Sequence, residues 1–261
     1  MIAMHDSGLG GLSIWRAVRA ALPRWPITYL ADQAYCPYGP RSRQEIIDRS
    51  LAIGHYLMSQ GATILVVACN TATTAAITAL RRELPIPIVG VEPAIKPAAA
   101  ASRTRRIAVL ATQATLASER VQTLLDTHAN GVEVLRRPGH GWVEQVEAGE
   151  LDSPLTRQVV AEVVSPLLAQ NIDHIALGCT HYPFLAPLIR ELTGDAIALY
   201  DPAEAIARRV VSQLKQHASD SQADHCYRFI TTADDAGPMA RMLPILIGRH
   251  DAVESHPLET P

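Results

Sequence analysis

Apolar and polar positions along this chain alternate between two periods. Short continuous apolar runs recur at residues 2–5, 27–31 ("ITYLA"), 63–68 ("TILVVA") and 86–91 ("IPIVGV"). Between them, apolar residues fall at helical spacing, as in Leu12, Trp15, Val18 and Leu22 before Pro23. Runs of the first kind predict buried strands and stretches of the second kind amphipathic helices. Ser42 with Glu45 forms a capping box, so a helix is predicted from there to Gln60, ended by Gly61. A further helix is predicted over 71–83.

A second series follows "PAIKPAAAAS" (93–102), which reads as a junction. Strands are predicted at 106–111, 131–137, 174–178 and 196–201. Helices are predicted over 114–126, on both sides of Gly149, and over 183–192. A long helix over 203–217, a strand in "CYRFITT" and a helix near 239–247 complete the pattern. The polar tail from Arg249 is expected to be loose at its end. Strands that alternate with helices imply parallel sheets. The reading is therefore α/β, with two domains of mostly parallel sheet and a crevice between them.

With 261 residues, 48% hydrophobic and 19% charged, the chain has ample material for a core. Its formal charge of −3 and lack of a dense basic block argue against a direct grip on nucleic acid. "RTRR" (103–106) reads as a solvated linker. No apolar run approaches a membrane span, and no export signal is visible at the N-terminus. A cytoplasmic location is expected, with the four cysteines as free thiols.

Three polar motifs end predicted strands: "DSGLGG" (6–11), "CNTAT" (69–73) and "GCTHYP" (178–183). Ligands of open parallel sheets collect beyond the carboxyl ends of the strands. "DSGLGG" is neither G-x-G-x-x-G nor a P-loop, so a turn whose amides meet a small carboxylate is favoured over a nucleotide site. Asp6 is either a helix N-cap or a site residue. Cys36 and Cys226 read as core thiols. Cys69 and Cys179 sit at strand-to-helix junctions, where a helix N-terminus favours a thiolate. His181 either packs or serves Cys179. A zinc set of Cys69, Cys179 and His181 has neither a usual spacing nor an evident fourth ligand.

Two such thiols suit the inversion of a stereocentre. One removes a proton from one face and the other supplies a proton to the opposite face. A free thiol has a pKa near about 8.5, so the thiolate must be generated and the carbanion stabilised.

These residues resemble the glutamate racemase family of the aspartate/glutamate racemase superfamily. The resemblance spans nearly the whole chain through "DSGLGGLS", "PYGPRS", "CNTAT", "GVEPA", "VEAGEL", "GCTHYP" and "DPAEAIA". It implies two pseudo-symmetric α/β domains, 1–92 with 203–261 and 93–202, with the active site in the crevice between them. It implies interconversion of L- and D-glutamate for peptidoglycan, with no cofactor and no metal. It implies Cys69 working on D-glutamate with the support of Asp6, and Cys179 on L-glutamate with that of His181 and Glu147. Ser7, Tyr38, Gly39, Asn70, Thr71 and Thr180, with Asp6 and His181, would hold the substrate, largely through backbone amides. A homodimer is the expected assembly. One departure is "PGHGWVE", with Gly139 and His140 where many relatives carry Cys-Pro. The rival readings are a racemase of another acidic amino acid such as aspartate, a decarboxylase of the same superfamily, and a binding protein of the same fold, for example one that binds gyrase.

Overall fold

The structure, a computed structural model, describes residues 1–217 and 227–259. The chain divides into two compact units, residues 1–91 with 203–261 and residues 92–202. Each is built on its own sheet, and every strand pairing in both sheets is parallel.

The first unit opens with β1 (Ile2–Asp6), α1 (Leu12–Ala21), β2 (Ile27–Ala31) and α2 (Arg43–Ser59). β3 (Ile64–Val67), α3 (Asn70–Glu83) and β4 (Ile88–Gly90) follow. β1, β2 and β3 are buried along their whole length, as expected of strands covered on both faces. The Ser42–Glu45 capping box is formed, and Gly61 takes a positive φ just past the end of α2.

The second unit starts with a correction. The stretch read as a junction contains a helix, α4 (Ile95–Ala101), whose Ile95, Ala98 and Ala99 are buried. Its alanines favour helix, and Pro97 lies in the first turn, where no amide is needed. β5 (Arg106–Ala111) comes next. The single helix expected over 114–126 is two, α5 (Gln113–Leu116) and α6 (Glu119–His128). Thr112 and Ser118 each accept from the amide three residues on, so two caps in succession restart the helix. β6 (Glu133–Pro138), α7 (Trp142–Glu147), α8 (Pro154–Leu168) and β7 (His174–Gly178) follow. A 3-10 turn (Tyr182–Leu185) precedes α9 (Ala186–Thr193), and β8 (Ala198–Tyr200) ends the unit.

The chain returns to the first unit with α10 (Ala203–His217), β9 (Tyr227–Thr231), α11 (Gly237–Ile247) and β10 (Val253–Ser255). Cys226 lies outside the described residues. The polar tail supplies an edge strand, because β10 pairs with β9, and Leu258 packs on the core; its end, expected to be loose, lies at 260–261, outside the described residues. "RTRR" is also more than a linker. Arg105 donates to the Gly131 and Asn130 carbonyls, while Arg106 donates to Gln170 O and pairs with Glu133.

Strand order is β10-β9-β2-β1-β3-β4 in the first sheet and β6-β5-β7-β8 in the second. In both, the opening strand lies inside the sheet, the next pairs on one side of it, and the third pairs on the other. The winding therefore reverses between β1 and β3, and again between β5 and β7. Crevices for ligands open at the carboxyl ends of such strands. Asp6 and Cys69 lie at the first reversal, and Cys179 at the second. Among the described residues no helix is long and apolar enough to cross a membrane.

Candidate functional site

In the first unit, β1 runs directly into "DSGLGG". Asp6 is fully buried, and its Oδ1 accepts from the Gly8 amide at 2.8 Å. It therefore closes a local turn, and the N-cap of α1 is Gly11. Tyr29 Oη donates to the Gly8 carbonyl at 2.7 Å and fixes the same turn. A Cβ on Gly11 would lie 2.8 Å from Asp6 Cβ and 2.9 Å from Ala68 Cβ. Only glycine lets this turn settle on the ends of both strands.

β3 ends one residue before Ala68, whose amide donates to His5 O at 2.7 Å. Cys69 is then the N-cap of α3, with Sγ accepting from the Ala72 amide at 3.4 Å. Ser7 Oγ lies 3.6 Å from Cys69 Sγ. This thiol sits at the positive end of a fourteen-residue helix, a place that stabilises a thiolate. Asn70 follows, buried, with Nδ2 donating to Val91 O at 3.4 Å. Among the described residues its Oδ1 is buried without a partner, an acceptor that a bound ammonium group would satisfy. Thr71 is buried beside it in the first turn of α3.

The loop 32–42 brings Tyr38 into the same buried cluster as Cys69. The Tyr38 hydroxyl donates to Asp32 Oδ2 at 2.5 Å. Burial first, then the charge of Asp32, holds Tyr38 well above the ordinary tyrosine pKa, so the hydroxyl stays protonated. What the loop offers outward is backbone: the Gly39 amide has no acceptor among the described residues, and the space around Gly39 is open. Cys36 is half-buried and precedes a cis peptide bond to Pro37.

In the second unit, Cys179 directly follows β7 but does not cap an α-helix. It enters a turn in which the Tyr182 amide donates to Cys179 O, and the next α-helix begins only at Ala186. The α-helix N-terminus expected here is replaced by a single 3-10 turn, with Pro183 near its start. Its place is taken by a side-chain relay. His181 Nδ1 lies 3.7 Å from Cys179 Sγ, and His181 Nε2 lies 2.6 Å from Glu147 Oε1. Burial alone would lower the His181 pKa. Hydrogen bonds to Cys179 and Glu147, and their negative charge, outweigh it and hold the imidazole well above its usual value. Thr180 is buried between the two.

Gly139 stands directly over this wall. Its amide donates to Tyr182 Oη at 3.1 Å, and Tyr182 Oη donates to Gly139 O at 3.2 Å. Trp142 packs edge-on against Tyr182 at 4.6 Å between ring centroids. His140 is exposed. Among the described residues, no three His, Cys, Asp or Glu side chains are grouped to hold a metal ion, the Cys69, Cys179 and His181 set included.

Sequence reasoning overlooked one feature near Cys69, the buried pair of Asp32 and Arg49. Its signal was present. Arg49 lies on the apolar stripe of α2 with Ile46, Ile53 and Leu57, where an arginine is out of place unless it is paired.

Residues 12–210 match the Asp/Glu/Hydantoin racemase family, and the chain belongs to that family. Within it, the chain is similar to the glutamate racemase of Pseudomonas aeruginosa, 46% identical over 256 residues that cover 97% of this chain and 96% of that one. The glutamate racemase of Ectopseudomonas mendocina is 44% identical over 254 residues, 97% of this chain and 96% of the relative. Among solved structures, Escherichia coli glutamate racemase in complex with L-glutamate and the activator UDP-MurNAc-ala superposes with a TM-score of 0.90 at 30% identity. That match covers 99% of this chain and 98% of the other.

Proposed function

We propose that this protein is a glutamate racemase that interconverts L- and D-glutamate with two thiols, Cys69 and Cys179, and no cofactor. One observation carries the reading: each unit places one thiol at the reversal of its sheet, and each thiol has its own polar support. Cys69 has the N-terminus of α3 and Ser7. Cys179 has the His181–Glu147 relay.

The chemistry needs two such groups. Starting from L-glutamate, the Cys179 thiolate takes the α-proton and becomes a thiol, leaving a carbanion. The Cys69 thiol then gives its proton to the opposite face and becomes a thiolate. The reverse reaction exchanges these roles. Protonated His181, held by Glu147, favours the Cys179 thiolate before the proton is taken. The helix N-terminus serves Cys69 in the same way. Asp6, buried at the end of β1 next to the strand that leads to Cys69, is assigned the role of opposing premature ionisation of that thiol.

Substrate binding falls first to two groups without partners among the described residues. Asn70 Oδ1 suits the α-ammonium, and the Gly39 amide suits a carboxylate. Ser7, Thr71 and Thr180 add hydroxyls and amides beyond the ends of β1, β3 and β7. The close similarity to curated glutamate racemases supports glutamate over other acidic amino acids. We further infer a role in supplying D-glutamate for peptidoglycan in the cytoplasm, and a homodimeric assembly.

The test is circular dichroism of L-glutamate incubated with protein dialysed against chelator and treated with hydroxylamine. Loss of the signal to zero is expected, at an undiminished rate. A signal that persists with glutamate but decays with aspartate overturns the substrate. Activity lost to chelator overturns the cofactor-free reading.

A further inference from the structure

Asp32 and Arg49 form an ion pair with almost no exposed surface on either side chain. Four donors converge on the one carboxylate. Tyr38 Oη at 2.5 Å and Arg49 Nε at 3.1 Å reach Oδ2, while Arg49 Nη2 at 2.5 Å and Thr232 Oγ1 at 2.7 Å reach Oδ1. Burial opposes ionisation of Asp32, but Arg49, Tyr38 and Thr232 outweigh it and hold the carboxyl below its ordinary pKa.

The guanidinium is fixed from two further sides. It lies over the Tyr35 ring at 4.0 Å, and its Nη1 donates to the Leu258 carbonyl at 2.6 Å. That carbonyl belongs to a strap laid across α2. β10 pairs with β9, the His256 amide donates to Thr231 O at 2.8 Å, and the His256 ring stacks on Tyr56 at 4.2 Å. Leu258 then packs on the core. A continuous line therefore runs from the C-terminal strap through Arg49 and Asp32 to the Tyr38 hydroxyl.

A buried ion pair is weak evidence of stability, but a fully satisfied one defines a single geometry. The geometry defined here is that of a loop with no regular structure. Tyr38 is its buried anchor, and the next residue, Gly39, presents an amide with no acceptor among the described residues. We propose that Asp32 and Arg49, braced by the strap at Leu258, are positioning residues that hold Tyr38 and so aim the Gly39 amide at a substrate carboxylate. This rests on the glutamate racemase reading for the identity of the substrate, and on the geometry alone for the control of the loop.

The experiment uses the full chain and the substitutions Tyr38→Phe, Arg49→Lys and the two combined. Hydrogen exchange of amides 33–41 is measured without substrate, and KM and kcat are measured for both enantiomers. Exchange of the loop should rise, with the sheet amides unchanged. KM should rise about tenfold in both directions, the size of one lost hydrogen bond, with kcat far less affected. The double variant should be no worse than the poorer single, because both changes act through one carboxylate. If Arg49→Lys fails to fold, Tyr38→Phe carries the test, since it removes a single hydroxyl. Loop exchange and KM equal to wild type in folded variants overturn the proposal, as does a double variant whose effects multiply. A wild-type protein that does not racemise glutamate overturns the functional reading, and the exchange data then decide the control of the loop by themselves.

Discussion

His181 Nε2 and Glu147 Oε1 lie 2.6 Å apart, and an ionised carboxylate can only accept, so the imidazole donates. That fixes which nitrogen faces Cys179: Nδ1, at 3.7 Å. The pair defines a side of the site, and the first prediction follows from it. Glu147→Gln and His181→Asn should weaken the step in which Cys179 ionises, by about 10²–10⁴ in rate. Enantiomers have an equilibrium constant of unity, so kcat/KM must stay equal in the two directions while kcat and KM shift together and unequally. Steady-state kinetics from both enantiomers measures this. Equal kcat losses in the two directions would detach these residues from one side.

The thiols themselves are tested by isotope and by substitution. In D₂O, the first-turnover product should carry deuterium at the α-carbon and recovered substrate almost none, read by mass spectrometry. Cys69→Ser or Cys179→Ser should lower racemisation by about 10²–10⁴ or more. Each variant should still eliminate a β-leaving group from one hand of an analogue: L with Cys179 intact, D with Cys69 intact. Early deuterium in recovered substrate would point to one base that serves both faces.

His5 predicts an acid sensitivity. Its ring is fully buried in β1, and among the described residues neither nitrogen has a well-formed hydrogen bond. Burial above all, opposed by Asp32 and the Asp6 backbone and aided by Arg49, lowers its pKa to about 4 from 6.5. As pH falls below 6.5 the unfolded chain takes up a proton that the folded chain refuses until about pH 4. Stability should therefore drop by about 3 kcal/mol across that window. His181 acts in a different window: its raised pKa stabilises the fold fully below 6.5 and loses that contribution as pH rises toward the folded value. His5→Phe should flatten the acid slope in denaturant titrations between pH 6.5 and 4. An unchanged slope would assign the loss to other groups.

Gly139→Ala should be felt out of proportion to one methyl group. The new Cβ would lie 2.6 Å from Tyr182 Oη and 2.7 Å from Trp142 Cδ2, both in buried rings. Relief requires moving Tyr182, which adjoins His181. A loss of about 1–3 kcal/mol by urea denaturation is expected, together with a lower kcat. The same substitution at Gly39, where an added Cβ meets nothing within 4 Å, should leave stability nearly unchanged.

The strand and helix pattern was legible because it is local. A run such as Ile64–Val67 has no polar face to expose, and the Ser42–Glu45 cap needs only four residues to declare itself. The candidate thiols were legible for a similar reason, since a cysteine between an apolar run and small hydroxylated residues marks a strand end. The strand in the tail was not legible because it is polar: at a sheet edge, β10 gains its stability from backbone pairing with β9 and shows no apolar run. The helix at 95–101 was hidden by Pro97, which reads as a breaker unless it is known to fall in a first turn.

What the residues determined by themselves was therefore the menu of elements and the chemistry carried at their ends. Tertiary structure decided the order in which strands pair, and that order puts Asp6 and Cys69 at one reversal of the winding and Cys179 at another. It also decided that His181 stands between Cys179 and Glu147, the latter 34 residues away in sequence, and that Arg49 on an apparently ordinary helix is buried against Asp32. Hydrophobic period and capping report only on neighbours within a turn or two. Partners distant along the chain are chosen by which burial leaves no polar group unpaired, and that is settled only when the whole sheet has closed around them.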